Sequence, residues 1–225
     1  MKRLVRKDDG QVSLAVVLLG LAVLLMGIGL MVLGQASDAR GKAQKAADAA
    51  ALGAADSVRQ QWIQAWVNGQ RPPSDPGDPV RVLPFGFFGE AASLYGYDSA
   101  VGYARANSNS RVADYSVLVP EPGAIRVSVE TVSEQTEVVG TGDRLVGAPR
   151  GSASAVAEVR LRPGVHCRGS AEWDGEDEEE LESWTVRCTG AGFGAVRVIY
   201  RAGGHGGVSY DPSEIGRLFE IRLTS

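Results

Sequence analysis

The chain has 225 residues, with 23 Lys and Arg against 27 Asp and Glu and a formal net charge of −4. A charge this close to neutral, without basic residues clustered among aromatics, argues against a nucleic-acid-binding protein, and no nucleic-acid partner is predicted. The length leaves room for a single domain of modest core beside a membrane anchor.

The first predicted element is a transmembrane helix over residues 12–34. No charged residue lies between Asp9 and Asp38, and a bilayer core needs about 20 apolar residues in a helix. A short basic leader, residues 1–11, precedes it. The alternatives are a buried core helix and a cleavable secretory signal with Gly34-Gln35-Ala36 as its small-x-small site. The apolar segment is longer than the roughly 7–15 residues of a signal peptide, which favours an uncut anchor.

The orientation is predicted with the N-terminus in the cytoplasm and the C-terminal part outside. Basic residues lie on both sides of the span, so the positive-inside rule favours this orientation only slightly. A short basic leader is more readily left behind than the bulk of the chain. Cys167 and Cys188 are the two cysteines, and an isolated pair in an exported domain predicts one disulfide. Two unrelated buried thiols are the alternative.

Residues 35–67 predict an alanine-rich helix that continues the span and stops at Asn68-Gly69. An unbroken helix of this kind would be on the order of 80 Å long. Small residues recur every seven positions along it, so they return to nearly the same face. This stripe, and an alanine face beyond it, predict close packing with partner helices. The residues are Ser13, Gly20, Gly27, Gly34 and Gly41, followed by Ala43, Ala47, Ala50 and Ala54. The alternative is that glycine is simply frequent in membrane helices.

The rest of the chain predicts a connector followed by antiparallel strands. Residues 68–110 are rich in Gly, Pro and aromatics, with a short helix near 89–105. Residues 111–225 predict a β-rich extracytoplasmic domain, because apolar and polar residues alternate between turn-rich separators. The predicted strands cover 125–130, 155–162, 184–188, 195–201 and 219–223. The fold class is therefore α+β. A natural arrangement would lay the Ala39–Trp66 face of the helix on the sheet, although the sequence alone does not require it.

The sequence contains no convincing catalytic or metal-binding motif. His166 and His205 lack the spacing of metal ligands, and His166 beside Cys167 would point to the opposite face of a strand. No enzyme activity, cofactor or small-molecule substrate is predicted. The strongest local bias is an acidic segment, residues 172–182, in which Glu176, Asp177 and Glu178 are candidate cation ligands. A solvated, self-repelling loop is the favoured alternative.

The N-terminal third resembles the TadE/TadG-like, pseudopilin-like proteins of Flp (tight-adherence) pilus assembly. The resemblance rests on the apolar helix running into residues 43–55, AQKAADAAALGAA, and covers about residues 1–60. It implies a single-span cell-membrane protein that associates with other membrane or pilus-assembly proteins or with itself. Pilin precursors are cut after a glycine, here Gly10, with glutamate at the fifth mature residue. That position holds Ala15, so an uncut chain is expected.

Two functions follow from this sequence. The first is a structural component of a Flp-type pilus or a related secretion apparatus, assembled through the N-terminal helix. The second is an anchored extracellular binding module, in which the acidic segment or the aromatic segment Pro84–Tyr103 contacts a cation, a glycan or a protein.

Overall fold

The structure, a computed structural model, describes residues 9–85, 95–133, 151–174, 180–202 and 207–224. Its dominant element is helix α1, Asp9–Gly69, which is 61 residues long and continuous. The predicted long helix is therefore confirmed, and it ends at the predicted glycine. Pro72 and Pro73 follow, and proline cannot continue a helix.

The remaining elements form two antiparallel sheets and two short helices, which confirms the α+β class. Sheet 1 has the order β1-β2-β3-β8, and its strands are β1 Ser110–Glu121, β2 Ala124–Ser133, β3 Ser152–Leu161 and β8 Phe219–Thr224. Sheet 2 has the order β4-β5-β6-β7, and its strands are β4 His166–Trp173, β5 Leu181–Gly190, β6 Phe193–Arg201 and β7 Val208–Tyr210. The helices are α2 Tyr97–Ala106 and α3 Pro212–Gly216.

The five predicted strands correspond to β2, β3, β5, β6 and β8. Strands β1, β4 and β7 were not predicted. The inward positions of β4 carry small residues, including Gly169 and Ala171, so its apolar alternation is weak. The short helix predicted near 89–105 corresponds to α2, and residues 86–94 lie outside the described part of the chain.

Sheet 1 packs its inner face on the alanine-rich half of α1, an arrangement that the sequence suggested without requiring it. Val127 pairs with Ala157, and Val129 pairs with Ala155, so the residues that face the helix are small or β-branched. The hydroxyl of Thr131 donates a hydrogen bond of 2.9 Å to the carbonyl of Ala43. Thr131 is fully buried, so this bond satisfies a polar group that would otherwise be costly to bury.

Glycine permits the closest contacts of α1. A Cβ built on Gly151, just before β3, would lie 2.3 Å from the carbonyl oxygen of Ala39. A Cβ on Gly53 would lie 2.1 Å from the ring of Tyr103 in α2. Neither distance is possible for a real side chain, so these two glycines set how closely the sheet and α2 approach the helix.

An aromatic cluster closes the core at the C-terminal end of α1. The ring of Phe85 stacks on Trp66 with centroids 4.2 Å apart, and it meets Phe219 edge-on at 5.2 Å. Trp62 lies 5.0 Å from Phe219. The indole N–H of Trp66 donates to the carbonyl of Leu83 at 2.8 Å. The extended segment after α1 is thus folded back onto the helix.

Sheet 2 attaches to the same end of α1. The hydroxyl of Tyr200 donates a 2.8 Å hydrogen bond to the carbonyl of Val67, in the last turn of the helix. The Tyr200 ring stacks on Trp184 at 3.8 Å, and burial raises the pKa of its hydroxyl. These contacts place sheet 2 at the end of α1 remote from the apolar span.

We expect Phe85→Ala to lower the free energy of unfolding by about 3 kcal/mol, because the truncated ring would leave a cavity among three aromatics. Urea denaturation of the detergent-solubilised full chain, followed by tryptophan fluorescence, measures this free energy of unfolding. Leu83→Ala is the control, since Leu83 is 37% exposed, and it should cost about 1 kcal/mol or less. Equal losses for the two variants would contradict a core role for Phe85.

Candidate functional site

The N-terminal half of α1 is an apolar surface without a partner in the described chain. Residues Leu14–Met31 have a mean hydropathy of 2.8, and none of them is buried. By length and composition this segment could cross a membrane. Its large apolar side chains are exposed, for example 69% for Met26 and 70% for Met31. An apolar surface of this extent is stable in lipid rather than in water.

The predicted glycine stripe lies open along this helix. A Cβ built on Gly20, Gly27, Gly34 or Gly41 would find no atom within 4 Å. Ser13 lies in α1, but its side chain is outside the described part of the structure. A seven-residue step on an α-helix rotates by only about 20°, so the four glycines share one face. That face presents bare backbone, which another helix can approach closely.

The predicted alanine face, unlike the glycine stripe, is covered by other parts of the domain. Ala43, Ala47, Ala50 and Ala54 are all fully buried, within the core formed by α1, sheet 1 and α2. The expectation that these alanines present a surface to partner helices is therefore corrected. They already pack within their own domain, because the sheet covers the side of α1 on which they lie. Packing with another protein stays a prediction for the glycine stripe.

The two sets of small residues point in different directions. Ala43 is two residues beyond Gly41, which corresponds to about 200° around an α-helix. Gly41 and Lys45 are exposed where Ala43 and Ala47 are buried. Leu52 continues the exposed side and is 37% accessible. Helix α1 therefore has one face packed in its own domain, and the opposite face is exposed from the apolar span as far as Leu52. Beyond Leu52 this face is also covered, since Ala55 and Ile63 are buried.

The predicted disulfide is confirmed between Cys167 and Cys188. The two residues are directly opposite each other on β4 and β5, so the bond joins neighbouring strands of sheet 2. It closes a segment with a sequence separation of 21 residues, which would stabilise the fold by about 3 kcal/mol in the chain-entropy account. This segment contains the whole acidic run.

The candidate cation ligands Glu176, Asp177 and Glu178 lie outside the described residues. An open cleft of about 490 Å³ has a lining that includes Trp173 and Glu180. Within the described ranges, no group of three His, Cys, Asp or Glu side chains is placed to hold a metal ion.

The sequence analysis did not single out Glu158, although its environment is unusual. Glu158 lies on the outer face of sheet 1, yet it is only 1% exposed. It accepts hydrogen bonds from Arg126 at 2.8 Å, from Arg160 at 3.0 Å and from Arg222 at 3.1 Å. The alternation of polar and apolar residues correctly places Glu158 and the three arginines on the polar face of the strands. Only the register in which the strands pair brings the three arginines to one carboxylate.

This network shifts the pKa of Glu158 below its usual value. The hydrogen bond from Arg126 is the largest cause, burial opposes it, and Arg222 and Arg160 add to the lowering. The carboxylate is therefore ionised at neutral pH. Since a second bond links Arg160 to Glu121 at 2.5 Å, the network ties β1, β2, β3 and β8 together across the sheet.

One family model matches part of helix α1. Residues 10–57 match the Tad family model, described as "Putative Flp pilus-assembly TadE/G-like". The N-terminal segment is therefore similar to TadE/G-like proteins. The match lies wholly within α1, and it covers the apolar span, the glycine stripe and the alanine face. Searches of the curated proteins and of the solved structures gave no match.

We expect Glu158→Gln to reduce the free energy of unfolding by about 2 kcal/mol at pH 7, because it removes charge-assisted hydrogen bonds. A carboxyl whose pKa is lowered by folding stabilises the native state above its unfolded pKa, about 4.3, and loses this effect as the pH falls. The difference between the variant and the unmodified protein should therefore shrink below about pH 4. Denaturant titrations at several pH values measure it.

The exposed Glu130→Gln, on the neighbouring strand β2, is the control and should change stability little. A pH-independent difference between Glu158→Gln and the unmodified protein would contradict the ionic role of Glu158.

Proposed function

We propose that the protein is a non-enzymatic, membrane-anchored component of Flp-type pilus assembly or of a related secretion apparatus, and that α1 is its assembly surface. One observation carries the proposal. The part of the chain that matches the TadE/G-like family is the helix whose glycine face is open while its alanine face is occupied.

The physics of lipid supports this role for the glycine face. Apolar side chains gain little by leaving lipid for one another, so helices associate in membranes mainly through close backbone packing. Gly20, Gly27 and Gly34 offer such a surface, and nothing in the described chain covers it. The partners we propose are other membrane or pilus-assembly proteins, including copies of this chain.

The proposed orientation has the N-terminus in the cytoplasm and both sheets outside. The disulfide between Cys167 and Cys188 supports it, because such bonds persist in oxidising compartments and are rare in the cytoplasm. Helix α1 would then extend from the bilayer into the exported domain without a break. A rotation or shift of the helix in the membrane would be transmitted directly to the domain.

We expect the double variant Gly20→Leu/Gly27→Leu to lose membrane crosslinking to partner proteins, by about tenfold. Leucine side chains on this face would hold a neighbouring backbone away and remove the close contact. Chemical crosslinking in isolated membranes, followed by quantification of the crosslinked species, is the measurement.

The matched control is Ala22→Leu/Gly29→Leu, which adds leucines with the same seven-residue spacing. Each position is two residues from a stripe glycine, so it lies about 200° around the helix. A Cβ on Gly29 also meets no atom within 4 Å, so the control is tolerated within the chain. Unchanged crosslinking in the stripe variant, or equal losses in both variants, would refute the packing role.

We also expect the mature protein in membranes to keep its leader. Cleavage after Gly10 would place Ala15 where pilin precursors carry glutamate, so the substrate lacks that residue. N-terminal sequencing of the purified protein should find the residues at the beginning of the chain. A mature terminus at Gln11 would show prepilin-type processing, and one at Ser37 would show a released domain. Either outcome would overturn the expectation.

A further inference from the structure

A row of three arginines crosses the outer face of sheet 2. Arg168 on β4 is directly opposite Arg187 on β5, and Arg187 is directly opposite Arg197 on β6. All three side chains are exposed. Neighbouring strands are about 4.8 Å apart, so three positive charges lie within roughly 10 Å. This arginine row stands out in a chain whose net charge is −4.

The row has no compensating charge among the described side chains. None of the three arginines forms an ion pair or hydrogen bond with another described side chain. Asp211 follows β7, the strand next to β6, but its carboxylate accepts hydrogen bonds from Ser213. Like charges directly opposite each other destabilise a sheet. A surface of this kind fits an anionic partner that neutralises it.

The same sheet carries the complementary charge at one end. Eight of the eleven residues from Glu172 to Glu182 are acidic, and none is basic. In the described part of this acidic segment, Glu172, Glu180 and Glu182 are exposed. Glu172 is four residues from Arg168 along β4, about 13 Å at the rise of a strand. Glu172 and the arginine row of one copy are therefore separated on the sheet.

We infer that the arginine row binds the exposed acidic side chains Glu172, Glu180 and Glu182 of a second copy of this chain. Helix α1 is continuous from the apolar span to Val67, where Tyr200 of sheet 2 attaches. Copies anchored in one membrane therefore hold sheet 2 at the same height. The arginine row and the exposed carboxylates are both carried by sheet 2, so in neighbouring copies they lie in the same layer outside the membrane. The inference rests on the membrane anchoring in the proposed function, and it adds a partner and a contact surface.

This contact joins two different surfaces, so it is heterologous. Each copy has one arginine row and one acidic segment, and the contact leaves one of each free at the ends of a pair. Heterologous contacts of this type continue into rings or open chains rather than stopping at a dimer. The contact therefore allows more than two anchored copies to associate through their exported domains.

The test uses energy transfer between full-length copies labelled with donor or acceptor at the C-terminus and reconstituted together in phosphatidylcholine vesicles. We expect Arg168→Gln/Arg187→Gln/Arg197→Gln to lower the transfer about twofold or more. The transfer of the unmodified protein should also fall at high salt, because the pairs are exposed. The control is Arg71→Gln/Arg81→Gln/Arg217→Gln, which removes three exposed arginines from other surfaces and should leave the transfer unchanged.

A second experiment reverses the charges of the two surfaces and gives a result even if one of the variants above folds poorly. Copies with Arg168→Glu/Arg187→Glu/Arg197→Glu should show lower transfer among themselves than the unmodified protein. Copies with Glu172→Lys/Glu180→Lys/Glu182→Lys should show the same reduction among themselves. Mixing the two reversed forms should restore the transfer. Failure of the mixture to recover, with both forms showing cooperative thermal unfolding, would overturn the inference.

The remaining outcomes separate this inference from helix packing. If the unmodified protein shows strong energy transfer and the arginine variants do not change it, the arginine contact is refuted. A loss of energy transfer in Gly20→Leu/Gly27→Leu would then show that the copies associate through the helix. Loss in the arginine variants alone would support the contact and count against the glycine stripe. Binding of added poly-glutamate or acidic polysaccharide to the row, without transfer between copies, would overturn the assignment to a second copy.

Discussion

Helix α1 can lie close to sheet 1 because the side chains between them are small. Alanines on the helix meet Ala155, Ala157 and short β-branched residues on the strands, and Gly151 allows the backbone of Ala39 to come closer still. At this distance the buried Thr131 hydroxyl reaches the Ala43 carbonyl. The dense packing fixes the rotation of the helix relative to the sheet, because rotating it would bring larger, charged side chains such as Lys45 into the interface. The positions of the aromatic cluster and of sheet 2 follow from that fixed rotation.

That packing also decides which residues remain for other proteins. Once the alanine face is covered by the domain, the glycine face is the one that points outward at Gly41 and continues into the apolar span. A single rigid helix therefore carries an internal contact and an external surface on opposite sides. The same rigidity holds sheet 2 at a defined distance from the span, with its arginine row and the side chains of Glu172, Glu180 and Glu182 exposed. Lateral association in the lipid and lateral association of the exported domains would then act in the same direction, since both bring copies side by side.

Much of the fold could be predicted because its signals are local. The length of the apolar segment, the stop at Gly69 and the period-two alternation in β2, β3, β5, β6 and β8 depend only on neighbouring residues. Strand β4 was missed because Cys167, Gly169 and Ala171 give its inner face little apolar contrast, and Val80 fills the space over Gly169 from another part of the chain. The two sheets could not be separated from sequence, because strand order depends on contacts between distant segments. The contact of three arginines with Glu158 could not be predicted either, because it depends on the register in which β2, β3 and β8 pair.

The sequence by itself determined the membrane-competent helix, its seven-residue stripe of small residues, the single cysteine pair and the α+β class. Each of these depends on composition or spacing along one segment. Only the tertiary structure decided that the alanine face is internal and the glycine face external, because both faces carry small residues and differ only in what covers them. Only the tertiary structure aligned Arg168, Arg187 and Arg197, which come from three strands, into one row. A surface shared by separate segments depends on how strands pair, and pairing is set by the packing of the whole domain.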